Sequence, residues 1–154
     1  MISLRNITAD RLTRAILAVA LLGVAIAGYL TYIHYAGIKP ICAASGGCEK
    51  VQSSVYSDLA GIPVAVLGLA GYLGILASLL IAGEAGRLAG FALALAGFAF
   101  SAYLTYREIF TIKAICQWCV GSAVLMTVLA VLMTVRLLRY DDDRELTATV
   151  PESS

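Results

Sequence analysis

Long uncharged apolar runs alternate with short charged breaks along this chain. Four windows lack Asp, Glu, Lys and Arg: residues 15–35 (interrupted only by His34), 62–83, 88–106 and 114–135. Each approaches the roughly 20 apolar residues that carry a helix across a bilayer core. Arg14 precedes the first, Asp58 and Glu84 bracket the second, Arg87 and Arg107 the third, and Lys113 and Arg136 the fourth. The pattern predicts an all-α integral membrane protein, a bundle of four transmembrane helices with both termini on one side. Residues 1–14 read as a short polar lead with helix caps at Thr8 and Asp10. Residues 139–154, with Asp141-Asp142-Asp143, read as a disordered acidic tail.

The sizeable segment outside the spans is residues 38–61. Ala43-Ala44-Ser45-Gly46-Gly47 has no side chain large enough to pack and is expected to move. Val51, Val55 and Leu59 recur at four-residue steps, which predicts a short amphipathic helix from Glu49 to Leu59 on the membrane surface. Ser54 falls beside that stripe, either bonded to its own backbone or pointed into a buried site. Pro63 is expected in the first turn of the second span, where its missing N–H costs little. Gly68, Gly71, Gly74, Gly86, Gly90, Ala94 and Gly97 suit close helix contact in lipid. Because these glycines lie inside apolar helices, they form no phosphate loop.

Aligned on itself at an offset of 74, the chain matches at eight of the fourteen positions from 29 to 42. Tyr29-Leu30-Thr31-Tyr32 falls on Tyr103-Leu104-Thr105-Tyr106, and Cys42 falls on Cys116. An internal duplication of a two-helix unit accounts for this. Convergence of two helices leaving by the same membrane face is the simpler rival, and the equal step from tyrosine to cysteine argues against it.

Composition sharpens the picture. The 154 residues are 60% hydrophobic, with a mean hydropathy of +0.88, against about 45–50% apolar in ordinary soluble domains. A net charge of +1 gives no electrostatic footprint for nucleic acid. Lysine and arginine are uneven: Arg5, Arg11, Arg14, Arg87, Arg136, Arg139 and Arg144 share the side of the termini, against Lys39, Lys50, Arg107 and Lys113 on the other. The termini are therefore predicted cytoplasmic. Ala25-Ile26-Ala27 resembles a signal-cleavage site, but the apolar run continues to Tyr35, so the segment is read as a retained helix. Tyr29, Tyr32 and Tyr35 read as an aromatic belt at the outer interface, and His34 among them as an interfacial residue with no catalytic role.

The chemistry lies in four cysteines. Cys116-Gln117-Trp118-Cys119 stands at the mouth of the fourth span, and Cys42 and Cys48 stand in the loop. Both pairs are placed outside the cytoplasm, where disulfides persist. Two thiols at Cys-x2-Cys spacing suit reversible two-electron exchange, and Cys116, expected in the first helical turn, gains thiolate character from unpaired N–H groups there. Zinc would need all four sulfurs as ligands, and no carboxylate or histidine support is evident for it. A pair of structural disulfides on a non-enzymatic scaffold is the other reading.

The combination of four helices, Cys42 and Cys48 in a loop, Ser54 six residues after the second cysteine, and Cys116-Gln117-Trp118-Cys119 at the last helix resembles the bacterial homologues of vitamin K epoxide reductase over about residues 12–138. The resemblance implies a thiol–quinone oxidoreductase of a bacterial cell membrane, using menaquinone or ubiquinone and no metal. It implies that Cys119 reacts with the quinone, Cys116 exchanges with Cys48, and Cys42 takes electrons from a thioredoxin-like (DsbA-like) extracytoplasmic partner. It also implies that Ser54 hydrogen-bonds near the quinone. Some relatives carry the partner fused at the C-terminus, and here it is expected to be separate. Vertebrate members use a tyrosine four residues after the second active cysteine. Here that residue is Ala123, which favours quinone over vitamin K epoxide as substrate. A different family of four-helix thiol–quinone enzymes places its Cys-x2-Cys early in the chain rather than last.

Overall fold

The computed structural model describes residues 4–42 and 47–149. Helix α1 runs Leu4–Ala36, α3 Val64–Leu80, α4 Glu84–Arg107 and α5 Gln117–Thr149, with a short helix α2 over Gly47–Gln52. The four long helices form a ring in which α1 packs on α3, α3 on α4, α4 on α5 and α5 back on α1. Ile16, Ala20, Tyr72, Ile75, Ala94, Leu129 and Met133 fill its centre. Leucines such as Leu17, Leu21, Leu22 and Leu73 face outward, as expected of a surface that meets lipid. The chain is a multi-pass membrane protein: α1, α4 and α5 are long and apolar enough to cross. At 17 residues, α3 spans about 25 Å, slightly less than the hydrocarbon core.

Several boundaries differ from expectation for identifiable reasons. The helix of the first span begins at Leu4, so Thr8 and Asp10 lie within it instead of capping it. The second span starts two residues late. Ile62–Pro63 forms strand β2, paired antiparallel with β1 (Asp58–Leu59) across Ala60 and Gly61. Both turn residues have positive φ, 53° and 83°, the primed geometry that suits a two-residue hairpin. Pro63 consequently caps α3.

The amphipathic helix expected from Glu49 to Leu59 ends at Gln52. Ser54 Oγ donates to the Val51 carbonyl at 2.7 Å and Ser53 Oγ to that of Lys50 at 3.4 Å, so serine hydroxyls compete for backbone the helix would use. A 3₁₀ turn over Val55–Ser57 follows. Val51 is buried, whereas Val55 and Leu59 are exposed. The mobility expected of residues 43–47 falls largely on residues 43–46, which lie outside those described.

The acidic run after Arg139 is helical through Thr149, not disordered, and residues 150–154 lie outside those described. Arg144 pairs with Glu84 at 2.7 Å, and the Arg87 guanidinium sits 4.2 Å from the centre of the Tyr140 ring, which ties this extension to the start of α4.

Candidate active site

At the opposite end of the ring the chain turns back on itself between α4 and α5. Past Arg107 the helix widens into a π-turn over Glu108–Ile112, and Lys113 enters the left-handed region at φ 52°. The Glu108 carbonyl accepts the N–H groups of Lys113 and, at 3.2 Å, of Ala114. Such turns recur at functional sites. This reversal carries Cys116 back over the Glu108 side chain, whose carboxylate accepts the Cys116 N–H at 3.3 Å.

Cys116 lies at the N-cap of α5 and not in its first turn: its carbonyl accepts the Val120 N–H at 3.0 Å. A side chain at that position accepts hydrogen bonds from the next free N–H groups. The Cys119 thiol, together with the backbone N–H groups of Cys119 and Trp118, holds the Cys116 thiol down at about 7, against burial and the Glu108 charge, which push it up. Cys116 and Cys119 are free thiols, and Cys42 and Cys48 are joined in a disulfide with Cα atoms 6.4 Å apart.

The two pairs meet. Cys48, Val51 and Cys116 form one buried cluster, with Cys42, Trp118 and Cys119 packed against it. Gly47 makes this approach possible, because a Cβ there would collide with the Ile115 carbonyl. The segment leading to Cys42 is clamped as well. The Trp118 indole N–H donates to the Ile41 carbonyl at 2.8 Å, the Ile41 N–H donates to the Tyr29 hydroxyl at 3.2 Å, and the two rings lie 5.2 Å apart. Tyr29 therefore turns inward, while Tyr32 and Tyr35 stay exposed.

Below the cluster a cavity of about 360 Å³ opens into the helix ring, with Cys119 in its wall. That volume falls in the range of small-molecule sites. Gly68 and Gly71, expected at helix contacts, have open space where a Cβ would stand and line this cavity instead. Gly74, Gly86, Gly90 and Gly97 do make close contacts. Ser54 lines the cavity too, but its proton is committed to Val51. The side chain that reaches Cys119 is Gln52, whose Nε2 lies 4.0 Å from Sγ. His34 also lines the wall, 3.9 Å from Asp58.

Residues 14–134 match the model of the vitamin K epoxide reductase family. The chain belongs to that family. As a vitamin K epoxide reductase family member it is an oxidoreductase, with the cysteine loop and the Cys-x2-Cys pair at one end of its bundle. Sequence reasoning missed three contributors to this family site: Glu108, Gln52 and the Tyr29–Trp118 clamp. For Glu108 a signal existed, since the 74-residue offset that pairs Cys42 with Cys116 also pairs His34 with Glu108, and both line the cavity. Gln52 carries no pattern of its own.

Proposed function

We propose that this protein oxidises the dithiol of an extracytoplasmic thioredoxin-like partner and delivers the electrons to a membrane quinone, its cysteines lying outside the cytoplasm as the arginine distribution suggests. The observation that carries the reading is the position of Cys119, in the wall of an apolar cavity within the bundle, while its neighbour Cys116 shares a buried cluster with Cys48 of the loop disulfide. Family membership supports a quinone as the acceptor. The cavity's volume, its largely apolar wall and the Gln52 amide as a donor suit a quinone ring. When bound, a quinone supplies a sink for two electrons and two protons.

The chain's own residues would act in order. The partner's thiolate opens Cys42–Cys48 by attack at Cys42, and resolution of that mixed disulfide leaves Cys42 and Cys48 as thiols. Cys48 then attacks Cys116 of an oxidised Cys116–Cys119 pair, and Cys42 resolves the Cys48–Cys116 bond. Cys116 leaves as a thiolate, which its capping hydrogen bonds favour. Cys116 and Cys119 rejoin as their two electrons pass to the substrate in the cavity. Gln52 and the cavity wall orient that substrate against Cys119.

Single alanine replacements test the scheme with a soluble quinone and a small dithiol. Loss of Cys116 or Cys119 is expected to abolish quinone-dependent thiol oxidation. Loss of Cys42 is expected to spare it, because the small dithiol reaches the inner pair directly, while abolishing oxidation of a thioredoxin-like substrate. Equal activity in all four variants would discard the reading.

A further inference from the structure

Glu108 is a carboxyl group 4% exposed at the outer mouth of a membrane protein, a costly arrangement unless the group has a task. Its carboxylate accepts the Cys116 N–H at 3.3 Å, and it lines the same cavity as Cys119. Among the described residues no cation lies within ion-pair distance of it. The other titratable or charged groups around that cavity are Arg107 beside it on α4, His34 on α1 and Tyr56 on the loop. Arg107 is engaged elsewhere, its Nε donating to the Tyr103 hydroxyl at 3.2 Å and its guanidinium 4.9 Å from the centre of the Tyr56 ring. His34 is directed to Asp58. Glu108 is thus the carboxylate that shares this cavity with Cys119.

We propose that Glu108 is a catalytic proton carrier, which accepts the Cys119 proton as that sulfur gives up its electrons and returns it to a quinone oxygen in the adjoining cavity. The inference rests on the thiol–quinone reading above and adds the route of one proton to it. The balance closes. Cys116 as thiolate and Cys119 as thiol lose two electrons in forming their S–S bond, and the quinone gains two electrons and two protons. One proton comes from Cys119 by way of Glu108. The other comes from solvent, which took up the protons of the thiols that attacked as thiolates during the exchange. The π-turn serves this route, because the widened backbone and left-handed Lys113 bring Cys116 back over the carboxyl group.

The substitution Glu108→Gln retains an oxygen that can accept the Cys116 N–H but cannot take up a proton at neutral pH. In reduced, quinone-free protein, the rate at which N-ethylmaleimide modifies Cys119 is the direct readout. Loss of a general base is expected to slow it near neutral pH by about a hundredfold, the lower end of what such catalysis supplies, and to move its pH dependence upward. A neighbouring negative charge with no proton role predicts the opposite sign, since removing it makes the Cys119 thiolate easier to form; an unchanged or faster rate would overturn the proposal. Modification of Cys116 in the same variant, with its midpoint still near or slightly below about 7, reports that the turn is folded. Quinone-dependent oxidation separates the two readings. A wild-type protein inactive toward every quinone sinks the thiol–quinone scheme, whereas an active wild type with a Glu108→Gln variant of equal rate and equal pH profile sinks only the proton route.

Discussion

A sulfur at a helix N-cap receives hydrogen bonds that a sulfur further along the helix does not, and Cys116 occupies that place. Its neighbours favour the thiolate, chiefly the Cys119 thiol and then the Cys119 and Trp118 N–H groups, while burial and Glu108 oppose them. A lowered thiol is thiolate above its midpoint and loses reactivity as pH falls through it. Modification of Cys116 by a small uncharged alkylating reagent is therefore expected to level off above about pH 7 and to decline below it, instead of rising toward the ordinary 9.0. Mass spectrometry of the modified cysteine across a pH series measures this. A midpoint at the ordinary value would mean that the cap is not made in solution. The same residue marks a limit of the sequence. The Cys-x2-Cys motif announced a thiolate, but whether Cys116 capped the helix or sat in its first turn depended on the π-turn before it, which no periodicity encodes. Ser54 illustrates the limit differently: it lines the cavity, yet its hydroxyl donates to its own backbone.

Among the elements, the long helices were legible because a charge-free apolar run near bilayer length has few other uses. The loop between α1 and α3 was not, because its conformation is set by serine hydroxyls, a two-residue hairpin and contacts to α5. Gly47 is the clearest case. It read as one member of a flexible run, yet it lies in α2 against the Ile115 carbonyl. By helix propensity alone, Gly47→Ala would stabilise α2 by about 1 kcal/mol. The collision of its methyl group with backbone, which has no side-chain rotamer to yield, reverses that sign and lifts α2 off the loop that carries Cys116. Since Cys48 is the next residue, the exchange between the two cysteine pairs is expected to slow. The inner pair keeps its own surroundings, so its oxidation by quinone with a small dithiol should persist. Turnover with a thioredoxin-like dithiol compared with turnover with the small dithiol measures the difference, and equal loss in both would show that Gly47 does not set the approach of the pairs.

At the scale of the whole molecule, the bundle must close around a cavity without collapsing into it. Gly68 and Gly71 keep one wall of α3 open, so that helix needs its anchorage elsewhere. Tyr72, fully buried, supplies it. The ring lies directly against Gly23 of α1, and its hydroxyl is 2.9 Å from both the carbonyl and the Oγ of Ser122 on α5. One side chain of α3 thus crosses the bundle to two other helices just beneath the cavity. The two halves of that contact differ in what they contribute. Tyr72→Phe removes a hydrogen bond worth about 0.5–1.5 kcal/mol and leaves the ring in place, so a lowered melting temperature with the cavity intact is expected. Gly23→Val places methyl groups inside the volume of the ring, which cannot withdraw between packed helices. Overpacking of this kind costs about 1–3 kcal/mol or more and here forces α1 and α3 apart, so that the cavity loses its shape along with the bundle its stability. Thermal unfolding in detergent, followed with and without a soluble quinone, distinguishes the two. Quinone is expected to raise the melting temperature of wild type and of Tyr72→Phe by mass action and to leave that of Gly23→Val unmoved. A Gly23→Val protein as stable as wild type and equally stabilised by quinone would show that α3 is not held through this ring.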